Sequence, residues 1–388
     1  MIPFLLIFFL LYSGLHLYSF LKARRAFNFG RRAGASIAGF MLLMVLAPII
    51  VRQSESAGFE TSARLLAYGG YTWMALIFLF FSASLALDLY RLLVSVSGTL
   101  LRKDLARFSP SPRFCFFLPL LFALAASAQG YFSARNIRIE RKVIRTPKLP
   151  AETGRLRIVQ ISDVHLGLIV KEERLRLILD AVERAEPDIL VSTGDLWDGQ
   201  VCELNGLCRL LARVQPRSGK YAVTGNHEFY AGLEKSLEFT RRAGFTVLRG
   251  EAVVAGGLVN IAGVDDRTGR YSGLYQEVSE RELLSGLDKG KFTILLKHRP
   301  EIDAGAIGLF DLQLSGHTHK GQIFPFMAIT KMFFVITSGH LRLTENSSLY
   351  VNRGSGTWGP PIRFLAPPEV TVIELVHEDR KEGTLLKN

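Results

Sequence analysis

Leu156-Arg157-Ile158-Val159-Gln160-Ile161-Ser162-Asp163-Val164-His165 reads as a short apolar strand that stops at Ser162-Asp163 and delivers an Asp-x-His pair. Residues i and i+2 share a face in extended geometry, so both side chains point the same way. The same design recurs downstream. Asp188–Ser192 is a strand ending at Thr193-Gly194-Asp195, and Tyr221–Thr224 ends at Gly225-Asn226-His227. Phe292–Leu296 ends at His298, and Leu312–Leu314 stops before Gly316-His317-Thr318-His319. Helical periods separate these strands over Lys171–Ala185, Val201–Val214, Leu233–Ala243 and Glu280–Leu287. Val253–Ala255 and Val259–Val264 pair around Gly256-Gly257, and Phe333–Ile336, Ser348–Asn352 and Val370–Leu375 complete the strands. Short strands alternating with helices predict a layered α/β domain, two packed sheets with helices outside. Ligands in such domains bind at the carboxyl ends of the strands, where the polar clusters fall.

The text before this domain is of another kind. The chain has 388 residues, 48% of them hydrophobic, with 27 Phe and a net charge of +12. Its mean hydropathy of +0.22 excludes a disordered chain and disfavours an ordinary soluble enzyme. The basicity is confined: residues 1–150 hold 18 Lys+Arg and 5 Asp+Glu, net +13, and the remainder is net −1. That fits charges flanking membrane spans better than a nucleic-acid groove, and no nucleic-acid partner is expected. Met1–Phe20, Ala33–Val51, Leu65–Leu87 and Phe114–Ala134 carry no charge, and each is near the roughly 20 residues that cross a bilayer. The expected organisation is four spans over 1–134, a basic connector over 135–154, a catalytic domain over 155–376 and a polar tail over 377–388.

Loop charge sets an expected orientation. The loop after the first span carries Lys22, Arg24, Arg25, Arg31 and Arg32, and the loop after the third carries Arg91, Arg102, Lys103, Arg107 and Arg113. Both read as cytoplasmic, which places the C-terminal domain outside the cytoplasm. The basic run after the fourth span pulls the other way. Cys115, Cys202 and Cys208 read as small buried side chains.

Five of the eight histidines fall in the strand-end clusters. Asp163, His165, Asp195, Asn226, His298, His317 and His319 form a mixed imidazole and hard-oxygen set without thiolate, which suits Mn²⁺, Fe²⁺ or Zn²⁺. Seven donors exceed one transition ion and fit two ions sharing a bridging carboxylate, the clamp that two-metal hydrolysis requires.

In order, the blocks Asp163-x-His165, Gly194-Asp195, Gly225-Asn226-His227-Glu228, His298 and Gly316-His317-x-His319 resemble those of the calcineurin-like metallophosphoesterase superfamily over residues 155–376. Tyr350-Val351-Asn352-Arg353-Gly354-Ser355-Gly356 and the prolines after it look like the membrane-associated branch of YkuE-like and YaeI-like phosphodiesterases. The resemblance implies a four-layer fold of two packed mixed sheets flanked by helices, following a bundle of four transmembrane helices. It implies that Asp163, His165 and His319 hold one metal, that Asn226, His298 and His317 hold the other, and that Asp195 bridges them. His227 would bind a phosphoryl oxygen and protonate the leaving group, Asp163 would orient as well as ligate, and Glu228 would act behind the ligands. Lys320 departs from the Gly that relatives carry there; it meets an anionic substrate or points to water.

Other residues carry blander expectations. Asp198 is expected to face solvent or stand behind the ligands, Asp265-Asp266 to form a solvated turn, and His340 and Arg353 to be structural. Trp197 and Trp358 are core residues or substrate flanks. The implied function is a membrane-anchored phosphodiesterase or pyrophosphatase that uses metal-activated water on a lipid or envelope phosphoester. Two alternatives stand beside it: a UDP-2,3-diacylglucosamine pyrophosphatase, and an inactive membrane scaffold that binds metal.

Overall fold

The computed structural model of the protein describes residues 2–199 and 204–379, so Cys202, the start of the helix expected over Val201–Val214 and the tail beyond 379 lie outside the described residues. The chain forms two compact units.

The first unit holds α1 (Ile2–Phe27), α2 (Arg31–Ser56), α3 (Glu60–Leu101) and α4 (Phe114–Ser133), each long and apolar enough to cross a membrane. They occupy the four expected stretches. The third is much longer than its charge-free run Leu65–Leu87: 42 residues, about 63 Å at 1.5 Å per residue. The absence of charge marks what a bilayer accepts, not where a helix ends. Arg91-Leu92-Leu93 are good helix formers, and the helix stops at Arg102, which takes a left-handed conformation. Outward leucines such as Leu6, Leu10, Leu65 and Leu121 are exposed, as lipid-facing residues are. Several polar groups in these helices pair with one another. The Lys22 ammonium and the Tyr18 hydroxyl both donate to Asp88, and Trp73 Nε1 donates to His16 Nε2 at 2.9 Å. The unit also takes in Ile323–Pro325 and Gly359–Phe364. Ile323 and Ile362 pack with Ala75, Leu79, Phe80, Ala123 and Ala126, and the Arg363 N–H donates to the Gly130 carbonyl at 2.9 Å. A Cβ on Gly130 would come within 2.3 Å of Ile362, so only glycine permits this approach.

Among the described residues the second unit has twelve strands: β1 (Arg138–Thr146), β2 (Arg155–Ile161), β3 (Ile189–Ser192), β4 (Lys220–Ala222), β5 (Thr246–Val247), β6 (Glu251–Ala255), β7 (Val259–Gly263), β8 (Phe292–Leu296), β9 (Leu312–Ser315), β10 (Gly339–Arg342), β11 (Ser348–Val351) and β12 (Glu369–His377). One sheet runs β1-β12-β2-β3-β4-β5 and the other β10-β11-β9-β8-β7-β6. β2 to β5 are parallel, as are β7, β8, β9 and β11; β12 is antiparallel to β2, and β6 and β10 close their sheet antiparallel. Alternate residues of the two sheets meet in one core: Leu156 and Ile158, Ile189 and Val191, Val259 and Ile261, Ile294 and Leu296, Ile373 and Leu375. α5 (Glu172–Arg184), α6 (Leu204–Arg213), α7 (Asn226–Ala231) and α8 (Leu233–Arg242) join the strands of the first sheet. The mixed α/β class with two mixed sheets is as expected.

Two local expectations are corrected. The stretch expected as a basic connector contains β1, an edge strand parallel to β12 in register Arg138↔Glu369. Its charges disguise it, because edge strands tolerate Arg and Lys that discourage further pairing. The strand expected over Phe333–Ile336 does not form; β10 lies at Gly339–Arg342 instead, opposite β11. A β-prone run becomes a strand only where a neighbour pairs with it.

Ile158 sits in the centre of the inter-sheet core and is fully buried. Ile158→Ala should destabilise the protein by about 2–5 kcal/mol, seen as a lower midpoint of chemical unfolding in detergent with the membrane helices intact.

Candidate metal centre

Parallel strands ending at one edge bring the predicted clusters together. β2 leads into Asp163 and His165, β3 into Asp195, β4 into Asn226 and His227, β8 into His298, and β9 into His317 and His319. The backbone there is unusual. Asp163, His165, Asp195, His317 and His319 all have φ between 48° and 69°, in the left-handed region. Such conformations are uncommon outside glycine and gather at functional sites, because the surroundings must hold them.

Three groups of donor atoms converge here among the described residues, and Asp195 stands in two of them. Asp163, His165 and His319 make the first: His165 Nε2 lies 3.0 Å from His319 Nε2, and His319 Nε2 lies 3.4 Å from Asp163 Oδ1. Asp195, His298 and His317 make the second: His298 Nε2 is 3.1 Å from His317 Nδ1 and 3.2 Å from Asn226 Oδ1. Asp195 Oδ2 stands 3.3 Å from His298 Nε2 and 3.8 Å from His165 Nε2, between the groups. His298 Nδ1 donates to the Thr193 carbonyl at 2.8 Å, which turns Nε2 toward the other donors. Buried imidazole lone pairs and carboxylates converging at these distances fit divalent cations better than they fit one another.

The loops are tied behind the donors. Glu228 accepts backbone N–H groups from Asp195 (3.0 Å), Leu196 (2.8 Å), Trp197 (3.2 Å) and Gly225 (2.7 Å). Burial and then the Asp195 carboxylate push its carboxyl upward, against the Gly225 and Trp197 N–H groups that favour the anion. The Asp163 carboxylate accepts the His317 N–H at 3.0 Å, joining the first and last blocks. A Cβ on Gly316 would lie 1.9 Å from Ser162 Oγ, and one on Gly225 would lie 2.1 Å from Asp195 Oδ1. Both positions therefore require glycine for close approach.

His227 closes a third group of converging donors with His165 and Asp195. Its ring stacks edge-on to His165 at 4.7 Å, and Trp358 and Tyr230 flank it at 5.9 and 5.5 Å. Its Nδ1 is bonded to Asp198. Burial alone would lower this imidazole, but the Asp198 carboxylate, and then Asp195, outweigh it and push it up to about 9. Burial would raise Asp198, and His227 outweighs it, holding that carboxyl well below the usual range. The pairing of Asp198 with His227 was not foreseen. Its only signal was a second acid three residues after Asp195 in Asp195-Leu196-Trp197-Asp198.

Other expectations divide. Asp265-Asp266 is not a solvated turn: both are buried, Asp265 held by Arg249 and Asp266 by Arg299, whose Nη1 also reaches His317 Nε2 at 3.0 Å. Arg353 is buried against Glu369 and Glu140. Trp197 is a core residue stacked over Phe239, and His340 is exposed on β10. Lys320 is half-buried, in a left-handed turn after His319. Cys115 and Cys208 are buried and free.

Glu228→Gln turns one acceptor into a donor facing backbone N–H groups. It should cost about 1–3 kcal/mol of stability and reduce bound divalent metal, measured by elemental analysis of the purified full-length protein.

Residues 156–321 match the family described as calcineurin-like phosphoesterase. An uncharacterized metallophosphoesterase of Aquifex aeolicus is 42% identical over 258 residues, which is 66% of this chain and 98% of that protein. The uncharacterized metallophosphoesterase YkuE of Bacillus subtilis is 31% identical over 63% of this chain and 87% of its own. A transmembrane protein with metallophosphoesterase domain from Danio rerio is 34% identical over 59% of this chain and 55% of its own. With four membrane-length helices and a converging metal-donor set, the chain is a membrane protein that belongs to the calcineurin-like metallophosphoesterase family of metal-dependent phosphoester hydrolases.

Proposed function

We propose that the protein is a membrane-anchored phosphodiesterase or pyrophosphatase that works with two divalent ions on a lipid or envelope phosphoester. The observation that carries this reading is the place of Asp195 Oδ2, within 4 Å of a donor nitrogen from each of two histidine groups. Asp163, His165 and His319 would hold one ion, Asn226, His298 and His317 the other, and Asp195 would touch both. Ions bound there supply Lewis acidity toward phosphoryl oxygens and a water of lowered pKa.

The remaining work falls to the chain. His227, kept protonated by Asp198, has Nε2 left to hold a proton for the departing oxygen. As a water oxygen forms its bond to phosphorus, the bond from phosphorus to that oxygen breaks, the electron pair goes to the oxygen, which takes the His227 proton, and the attacking water gives up a proton to solvent. Asp198 then faces a neutral imidazole that is ready to be reprotonated. Glu228 and the glycine contacts keep the donors from relaxing, so little reorganisation is needed during the reaction.

Asp195→Ala should lower bound metal and abolish turnover of bis-p-nitrophenyl phosphate by the full-length protein in detergent. His227→Ala should keep its metal and lose about 10²–10⁴-fold in kcat. Metal binding with no turnover by the unaltered protein on this diester, on monoesters or on lipid pyrophosphates would leave only the scaffold reading.

Loop charge supports a catalytic unit outside the cytoplasm, because Lys22 to Arg32 and Arg91 to Arg113 flank the spans on one side. Tyr271 is exposed, so Tyr271→Cys should react with an impermeant maleimide in sealed right-side-out vesicles. Labelling only after the vesicles are broken would place the unit inside and favour the sugar-nucleotide lipid pyrophosphatase.

A further inference from the structure

The segment from Phe326 to Ile336 is apolar, carries Lys331 as its one charge and has no acidic residue. It forms one helical turn, Met327–Thr330, and then irregular chain where a strand was expected over Phe333–Ile336. Five of its large side chains face outward. Met332, Phe333 and Val335 are 79%, 75% and 83% exposed, and Phe326 and Ile329 are nearly half exposed. Soluble surfaces scatter such residues singly; a contiguous group of this size marks a covered surface.

Two further observations say what covers it. The segment follows Ile323–Pro325 directly, and the stretch Phe326–Trp358 ends just before Gly359–Phe364. Both bracketing pieces belong to the unit of membrane-length helices, where Phe364 stacks edge-on to Phe122 of α4 and Arg363 bonds to Gly130. The chain therefore leaves a membrane-spanning unit immediately before the apolar side chains begin. At its other end the segment is fastened to the metal centre. The Phe334 ring lies 5.6 Å from the His317 ring, and the Thr318 hydroxyl donates to the Thr337 carbonyl at 2.6 Å.

We propose that Phe326–Ile336 inserts into the bilayer interface in which the helices of the same chain sit. Aromatic and aliphatic side chains with a single lysine are the composition of an interfacial element, the lysine meeting anionic headgroups. A second copy is a poorer occupant, because a two-fold contact through this patch would set Lys331 near its own symmetry mate with no carboxylate in the segment to pair with it. The insertion places a lipid-facing edge next to His317. A substrate with an apolar chain then reaches the metals without leaving the bilayer; this second statement rests on the phosphoesterase reading above.

The test uses full-length protein in vesicles of phosphatidylethanolamine and phosphatidylglycerol. The native cysteines are replaced by serine, and an environment-sensitive NBD label is placed on Val335→Cys or, as control, on Tyr271→Cys. Label at 335 should be quenched by doxyl-labelled lipid and shielded from iodide, with the reverse at 271. Quenching of 335 by iodide and not by doxyl lipid would overturn insertion, and so would shielding from both, which would mean that protein covers the patch. A triple variant, Met332→Glu with Phe333→Glu and Val335→Glu, should retain hydrolysis of bis-p-nitrophenyl phosphate. It should lose about tenfold on a p-nitrophenyl phosphodiester lipid embedded in the vesicle. Equal activity of the triple variant on the embedded lipid would overturn the delivery role. Doxyl quenching at 335 in a protein that hydrolyses neither substrate would uphold insertion while the phosphoesterase reading failed.

Discussion

One buried carboxylate holds the centre in shape. Glu228 stands at the start of α7 and accepts four backbone N–H groups, three from the loop after β3 and one from Gly225 in the loop after β4. Asp195 is in the first loop, and Asn226 and His227 are in the second. The residue proposed to touch both ions, one proposed ligand and the proposed acid are thus positioned by a single side chain that touches none of the donor nitrogens. Hydrogen bonds to a charged group are worth about 1.5–3 kcal/mol each. That is the same order as the roughly 1–2 kcal/mol that each left-handed non-glycine residue costs. The strain at Asp163, His165, Asp195, His317 and His319 is sustained because such ties oppose it.

The same loops explain why small residues recur between the donors. At Gly225 and Gly316 any side chain would collide with a carboxylate that the centre needs, Asp195 in one case and Asp163 in the other. Backbone therefore approaches carboxylate directly, and the donor atoms of different strands come within about 3–4 Å of one another. Around this centre the acids are assigned separate partners. Asp198 goes to His227, Asp266 to Arg299 and Asp265 to Arg249, so each of these acids has its own cationic partner.

The membrane unit obeys the opposite rule. Its helices expose leucine and phenylalanine outward and pair their charged side chains internally where they can, as in the Lys22–Asp88–Tyr18 trio. A metal centre needs charge gathered in a pocket, and a bilayer span needs charge removed or paired. Joining the two in one chain is what makes the apolar, lysine-bearing run after Pro325 intelligible: it is too exposed for a soluble surface and too short to span.

The sequence by itself determined the candidate donors and the order of their blocks, because the chemistry of Asp-x-His, Asn-His and His-x-His at strand ends is local. It also determined the four apolar stretches, because hydropathy is a property of composition. It could not mark β1, since Arg138–Thr146 has the charges of a linker and becomes a strand only when β12 lies alongside. It could not deny a strand to Phe333–Ile336, since local propensity does not know which edge is free. Nor could it find the partners of Asp198, Asp265 and Asp266, which lie 16 to 33 residues away in the chain. Pairing across such separations is fixed by which strands neighbour one another and where their loops turn. Only the packed tertiary structure decides that, because the energy of each contact appears only once both partners are brought together out of water.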